Sequence, residues 1–232
     1  FLDGLYNIEE HVNLGADALL VSSTLFSIAG DPVSTEVFPV LGGAQFDLLV
    51  HDIPGWIPDS YGKICSTAQE AQDGTLDGRM VYYKPDRLRA GTYQFAFAMP
   101  FLRGIRGPQF VFFNTCQPSL DPADSANLVA NWIQLTNLEQ TRQTGRLIYY
   151  ARDGGELGQQ QIGIDAEARR DFPGHQFGAS MVGLIRWQPD NPAAAFQLRN
   201  VRYVYDNPRA ENSFDTAFQL GGMVGSGRPL VA

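Results

Sequence analysis

GRMVYYKPDRLRAG, Gly78–Gly91, is written a second time as LRNVRYVYDNPRAE, Leu198–Glu211. Arg79, Val81, Tyr83, Asp86, Arg89 and Ala90 match Arg199, Val201, Tyr203, Asp206, Arg209 and Ala210 at a constant offset of 120. Upstream, an offset of 124 pairs Asn7 with Asn131, Asn13 with Asn137, Leu14 with Leu138, Gly30 with Gly154, Ala44 with Ala168, Asp47 with Asp171 and His51 with His175. Gly62 with Gly183 and Ile64 with Ile185, at 121, bridge the two offsets. The slip falls between His175 and Gly183, where a loop absorbs a deletion cheaply. A period of this size predicts two successive domains of one design.

Apolar residues make up 44% of the chain and charged residues 18%, so each copy can bury its own core. The 24 Gly and 14 Pro imply many turns, and Phe, Tyr, Val and Ile suit a pleated, half-buried surface. An all-β fold is expected: two tandem immunoglobulin-like antiparallel β-sandwich modules related by internal duplication. The boundaries read as module 1 at 1–116, a Pro/Asp-containing linker at 117–130 with at most one or two helical turns, and module 2 at 131–232.

The strands follow from alternation and turn residues. In the first copy they are Tyr6–Asn13, Ala18–Ile28, Thr35–Val40, Ala44–Val50, Tyr61–Cys65, Thr75–Tyr83 and Thr92–Met99, with an eighth apolar run, Gln109–Thr115. In the second they are Asn131–Thr136, Arg146–Ala151, Gln159–Ile164, Ala168–Phe172, Ser180–Trp187, Phe196–Tyr205 and Phe214–Leu220. Asp153-Gly154-Gly155-Glu156 is a hairpin turn, since glycine tolerates positive φ. The alignment sets Gly107–Val111 against Arg228–Ala232, so the second copy lacks most of the eighth run. Truncation before a third repeat, a dispensable strand, and an edge completed by another chain all account for this.

A net charge of −8 offers no footprint for a nucleic-acid backbone, and none is expected as a partner. No apolar run approaches the roughly 18 to 20 residues of a membrane-spanning helix. The chain begins at Phe1 without Met, as after removal of a signal segment or in a cut piece, and an extracellular, cell-surface or periplasmic location is expected. Cys65 and Cys116 lie in the first copy only and suggest one disulfide, worth about 2 to 4 kcal/mol, against two free thiols.

Asp47 with His51, and Asp171 with His175, are the repeated acid–imidazole pairs. They could orient an imidazole for acid–base or metal chemistry, but a spacing of four shares a face only on a helix, and these segments read as strand entering loop. A structural, loop-fixing contact is the simpler reading. Glu9 and Glu10 read as solvated. Among the aromatics, Trp56, Tyr61 and Trp187 are candidate sugar-stacking platforms, whereas Tyr83 and Tyr203 read as core. No metal site and no cofactor are expected, and no nucleophile, phosphate-loop or dinucleotide motif occurs.

The function these features suggest is a non-catalytic exported structural protein, a surface repeat module or filament subunit. Self-association or another surface protein would be its partner, met through exposed β-edges or through Phe1, Leu2, Leu5, Tyr6, Pro229, Leu230 and Val231. A carbohydrate-binding sandwich and a polysaccharide-active enzyme are the alternatives.

Overall fold

The alternating segments all become strands, and the computed structural model describes residues 5–56, 62–68, 75–86, 88–114, 128–174, 176–177, 182–205 and 214–224. Strands β1 (Tyr6–Asn13), β2 (Leu19–Ser27), β3 (Pro32–Val40), β4 (Gln45–Leu49), β5 (Gly62–Ala68), β6 (Leu76–Pro85) and β7 (Tyr93–Pro100) make the first half. Two short strands follow, β8 (Ile105–Arg106) and β9 (Gln109–Asn114). The second half contains β10 (Leu128–Asn137), β11 (Gln143–Ala151), β12 (Glu156–Ile164), β13 (Arg169–Pro173), β14 (Val182–Pro189), β15 (Ala195–Tyr205) and β16 (Phe214–Gly221). One 3-10 turn, Val50–Asp52, is the only helical element among the described residues.

Four antiparallel sheets result. Order β4-β1-β6-β7 lies over β3-β2-β5, and order β13-β10-β15-β16 lies over β12-β11-β14-β9, with β8 beside β15. Side chains from both members of each pair interdigitate, the arrangement of a β-sandwich. In the second half Val111, Leu147, Tyr149, Ile185 and Trp187 meet Ile133, Leu135, Phe172, Phe196 and Leu198 in one apolar core. The ladders agree residue for residue between halves. Tyr6 faces Tyr83 as Ala130 faces Tyr203, and Leu25 faces Ile64 as Tyr149 faces Ile185. The bulge at Leu25/Phe26 has its like at Tyr149/Tyr150.

Several of the shared residues explain themselves. Asn13 donates from Nδ2 to the carbonyls of Asp17 and Val40 and accepts from the Gly15 N–H. Asn137 donates to Thr141 and Ile164 and accepts from the Glu139 N–H. Each asparagine saturates the backbone of the loop that ends its strand, work only a side chain with both donors and an acceptor can do. Gly30 and Gly154 turn the β2–β3 and β11–β12 hairpins at φ of 99° and 88°, a region costly for any residue with a Cβ.

The eighth apolar run departs from the sequence expectation. Read as part of the first copy, Gln109–Asn114 instead pairs with β14, Val111 facing Ile185 and Phe113 facing Gly183, and completes a sheet of the second half. It is locked there by side chains of that half. Asn131 donates to the Asn114 carbonyl and accepts its N–H, Asn200 donates to the Phe112 carbonyl, and Gln109 donates to the Phe196 carbonyl. Alternation alone identifies a strand but not its neighbour, which is why the sequence misplaced it.

In the first half the corresponding edge, that of β5, pairs with no strand among the described residues. The outer face of the β10–β15–β16 sheet lies against that open side instead. Val201, Tyr203 and Ala217 join Leu25, Met80, Tyr82 and Met99 in a single cluster. Side chains satisfy carbonyls of the first half: Arg169 Nη1 donates to Gly62 at 2.8 Å, Gln219 Nε2 to Pro100 at 2.6 Å, and Gln197 Nε2 to Leu102.

Candidate functional site

Where the second half is apolar, the first is not. At the offset of 124, Ile133 and Leu135 of β10 correspond to Glu9 and His11 of β1, and Leu147 of β11 corresponds to Ser23 of β2. At 121, Trp187 corresponds to Ser66 of β5. All four second-half residues are fully buried, and so are Glu9, His11 and Ser23. Glu9, expected on the surface, therefore points between the sheets, because β1 turns its odd-numbered residues inward.

Glu9, Ser23 and Ser66 bond to one another, and His11 lies beside them with neither ring nitrogen hydrogen-bonded to a described residue. Ser23 Oγ donates to the Glu9 carboxylate, 2.6 Å from Oε1 and 2.7 Å from Oε2, and Ser66 Oγ donates to Oε1 at 2.5 Å. The two hydroxyls are 2.9 Å apart, and His11 Nε2 lies 3.4 Å from Glu9 Oε1. The imidazole is walled by Phe38 and Phe101, ring centroids 5.2 and 5.6 Å away. A buried carboxylate is tolerated only with such partners, and an apolar set at these positions would hold the sheets together without that desolvation cost. Placing this cluster in one sandwich and not in the other marks it as the candidate site.

Ser66 opens onto a cavity of about 120 Å³ along the β5 edge. Met80, Tyr82 and Met99 form its inner wall, and Thr136, Gln197 and Arg199 close it from the second half. The Gly62 carbonyl reaches away from β2 to Arg169, and strand alternation turns the N–H groups of Ile64 and Ser66 the same way. Burial pushes the Arg199 guanidinium below its ordinary value, and the Arg169 charge adds to the effect. Arg199 is held by two neutral acceptors, Gln134 Oε1 and Gln219 Oε1. Burial raises the Tyr82 phenol, opposed by Arg199 and then Arg169.

The residues singled out from sequence are scattered. Asp47 accepts from Gln45 Nε2 at 2.7 Å and does not bond His51, whose ring packs against Tyr6 and Trp56. Burial lowers the His51 pKa, with Asp52 opposing. Asp171 is held instead by Arg169, Nε to Oδ1 3.0 Å, and by Gln134. His175 lies outside the described residues, as do Phe1, Leu2, Tyr61, Cys116, Pro229, Leu230, Val231 and residues 117–127 of the expected linker, whose last three residues instead begin β10. Leu5 is core and Tyr6 is 44% exposed.

Three expectations need correction. Trp187 is fully buried and offers no face to a sugar, because its position on β14 points between the sheets. Tyr83 lies on the outer face of β6, while Tyr82 takes the core position expected of it. Cys65 is a free thiol rather than half of a bridge among the described residues: β5 turns it to the outer face, across from Thr24. Neighbouring groups still desolvate that sulfur and push the thiol pKa up.

The signal that would have found Glu9, His11, Ser23 and Ser66 lies in mismatches between the copies, not in matches. Inside a strand, a position apolar in one of the aligned stretches and polar in the other marks where the two halves differ.

No protein-family model matches the chain, and no curated protein matches it. Among solved structures, a Bacteroides uniformis β-glucuronidase 2, covalently bound to cyclophellitol-6-carboxylate aziridine, is similar over 93% of this chain at 12% identity and a TM-score of 0.19. The chain spans 24% of that protein's length. A likeness at that score carries no argument. No helix among the described residues is long and apolar enough to cross a membrane, and no group of three or more His, Cys, Asp or Glu there could hold a metal ion.

Proposed function

We propose that the chain is a duplicated pair of immunoglobulin-like sandwich modules serving as a structural element of an exported or cell-surface protein, joined to its neighbours through β-edges or terminal segments. The observation that carries this reading is β9. A segment that follows the first half supplies the edge strand of the next one, so that successive modules are welded by strand addition. The matching ladders support one module design used twice. Val201, Tyr203 and Ala217 packing into the first half's cluster supports a stiff body over beads on a flexible string.

Light scattering and negative-stain imaging of the purified chain over a wide concentration range test this. Chains that associate end to end, or rods of constant length, are expected. A monomer whose halves tumble independently would overturn the proposal.

A carbohydrate-binding role is the second reading, favoured by one observation. Tyr6, Tyr83 and Tyr93 cluster on the outer face of β1, β6 and β7, with ring centroids 5.2 to 6.3 Å apart and Tyr93 55% exposed. Aromatic faces of this kind stack on sugar rings. Glycan-array binding that Tyr93→Ala abolishes is the expected result, and silence across the array removes the reading.

A further inference from the structure

We propose that Ser66 is an activated nucleophile that takes an acyl group from a small ester bound in the cavity along β5. The proposal is independent of the scaffolding role above.

Covalent catalysis by serine needs a base within hydrogen-bond reach, a third group that orients the base, and space for the acyl carbon beside the hydroxyl. Ser66 Oγ bonds Glu9 Oε1 at 2.5 Å. The carboxylate is held on its other side by Ser23 Oγ, and the His11 ring packs beside it with Nε2 3.4 Å from Oε1. The cavity lies at Ser66 and has room for a short acyl ester. Its wall is the edge of β5, which pairs with no strand among the described residues, and the N–H of Ser66 itself is the backbone donor nearest the acyl carbon that Oγ would attack. Met80, Tyr82 and Met99 supply the apolar side. The aligned positions of the second half carry Ile133, Leu135, Leu147 and Trp187, so a sandwich core of this kind can be closed without the polar set.

In the step proposed, Ser66 Oγ bonds to the ester carbonyl carbon while its proton passes to Glu9. The carbon–oxygen bond to the alcohol then breaks, and the alcohol leaves with that proton. Water attacking the acyl-serine by the reverse route releases the acid and restores the hydroxyl. His11 acts as a positioning residue on Glu9.

The test is incubation of the whole chain with p-nitrophenyl acetate, followed by p-nitrophenol release, intact mass and peptide mapping. Acetyl on Ser66, or steady p-nitrophenol release, is expected, and Ser66→Ala abolishes either one. Glu9→Gln slows the reaction about a hundredfold or more. His11→Phe lowers the rate constant and leaves the half-saturating ester concentration unchanged. Lys63 and Lys84 are the only lysines, so background acetylation is easily mapped. If acetyl forms only on those lysines or the N-terminal amine, or on Ser66 no faster than in urea-unfolded chain, the proposal fails. Should Glu9→Gln lose its native circular dichroism, wild type against Ser66→Ala decides the matter alone.

Discussion

Replacing Glu9 by isoleucine, the residue at the matching position of the second half, should damage the protein more than replacing Glu9 and His11 together. The carboxylate accepts three short contacts from Ser23 and Ser66 and lies 3.4 Å from His11, all with Glu9 fully buried. Glu9→Ile takes the acceptor away from two buried hydroxyls and from the side of the buried imidazole, and stranding buried polar groups costs about 1–3 kcal/mol each, so about 3–5 kcal/mol in all. With a urea slope of about 2 kcal/mol/M, the midpoint should fall by about 2 M. In the double variant, Glu9→Ile with His11→Leu, the carboxylate and the imidazole leave together. The hydroxyls of Ser23 and Ser66 still bond each other at 2.9 Å. Exchanging a whole buried pair for apolar residues is commonly neutral or stabilising by about 1–4 kcal/mol, so the double variant should regain most of the loss. Urea unfolding of wild type, single and double variants under identical conditions is the assay. A single variant within about 1 kcal/mol of wild type, or a double variant as unstable as the single, would refute the claim that Glu9 and His11 form a coupled buried pair.

Three further outcomes can be checked. Arg169→Met removes the bond to the Gly62 carbonyl and the ion-pair partner of Asp171, so the halves should come apart before either unfolds, read as faster proteolytic nicking between them and a split unfolding transition. At Gly183 an added Cβ would lie 2.0 Å from the Tyr150 carbonyl oxygen, so Gly183→Ala should force β11 and β14 apart and abolish the near-ultraviolet circular dichroism of the second half. The His51 pKa is lowered from its ordinary 6.5 in the fold, chiefly by desolvation, so the unfolded chain binds the proton more readily. The associated stability is present above about pH 6.5 and lost as pH falls, and thermal unfolding of His51→Gln should lose that part of the acid sensitivity.

The order of the strands, their approximate ends and the β11–β12 hairpin were legible in the sequence, because alternation and hairpin glycines act within a few residues of themselves. Leu76–Pro85 and Ala195–Tyr205 hold equivalent ladder positions, as the matched stretches imply, and the Asp153–Glu156 turn joins β11 to β12. Which face a strand buries was less legible: β1 carries polar residues inward and Ile8 outward, so the usual reading of Glu9 as solvated is inverted. The neighbour of β9, the bond from Arg169 to the Gly62 carbonyl of β5, and the meeting of Glu9, His11, Ser23 and Ser66 were set only by tertiary structure. The reason is physical. Local backbone preference depends on adjacent residues, whereas an unpaired edge or a buried carboxylate is satisfied by whatever group folding brings to it from far along the chain.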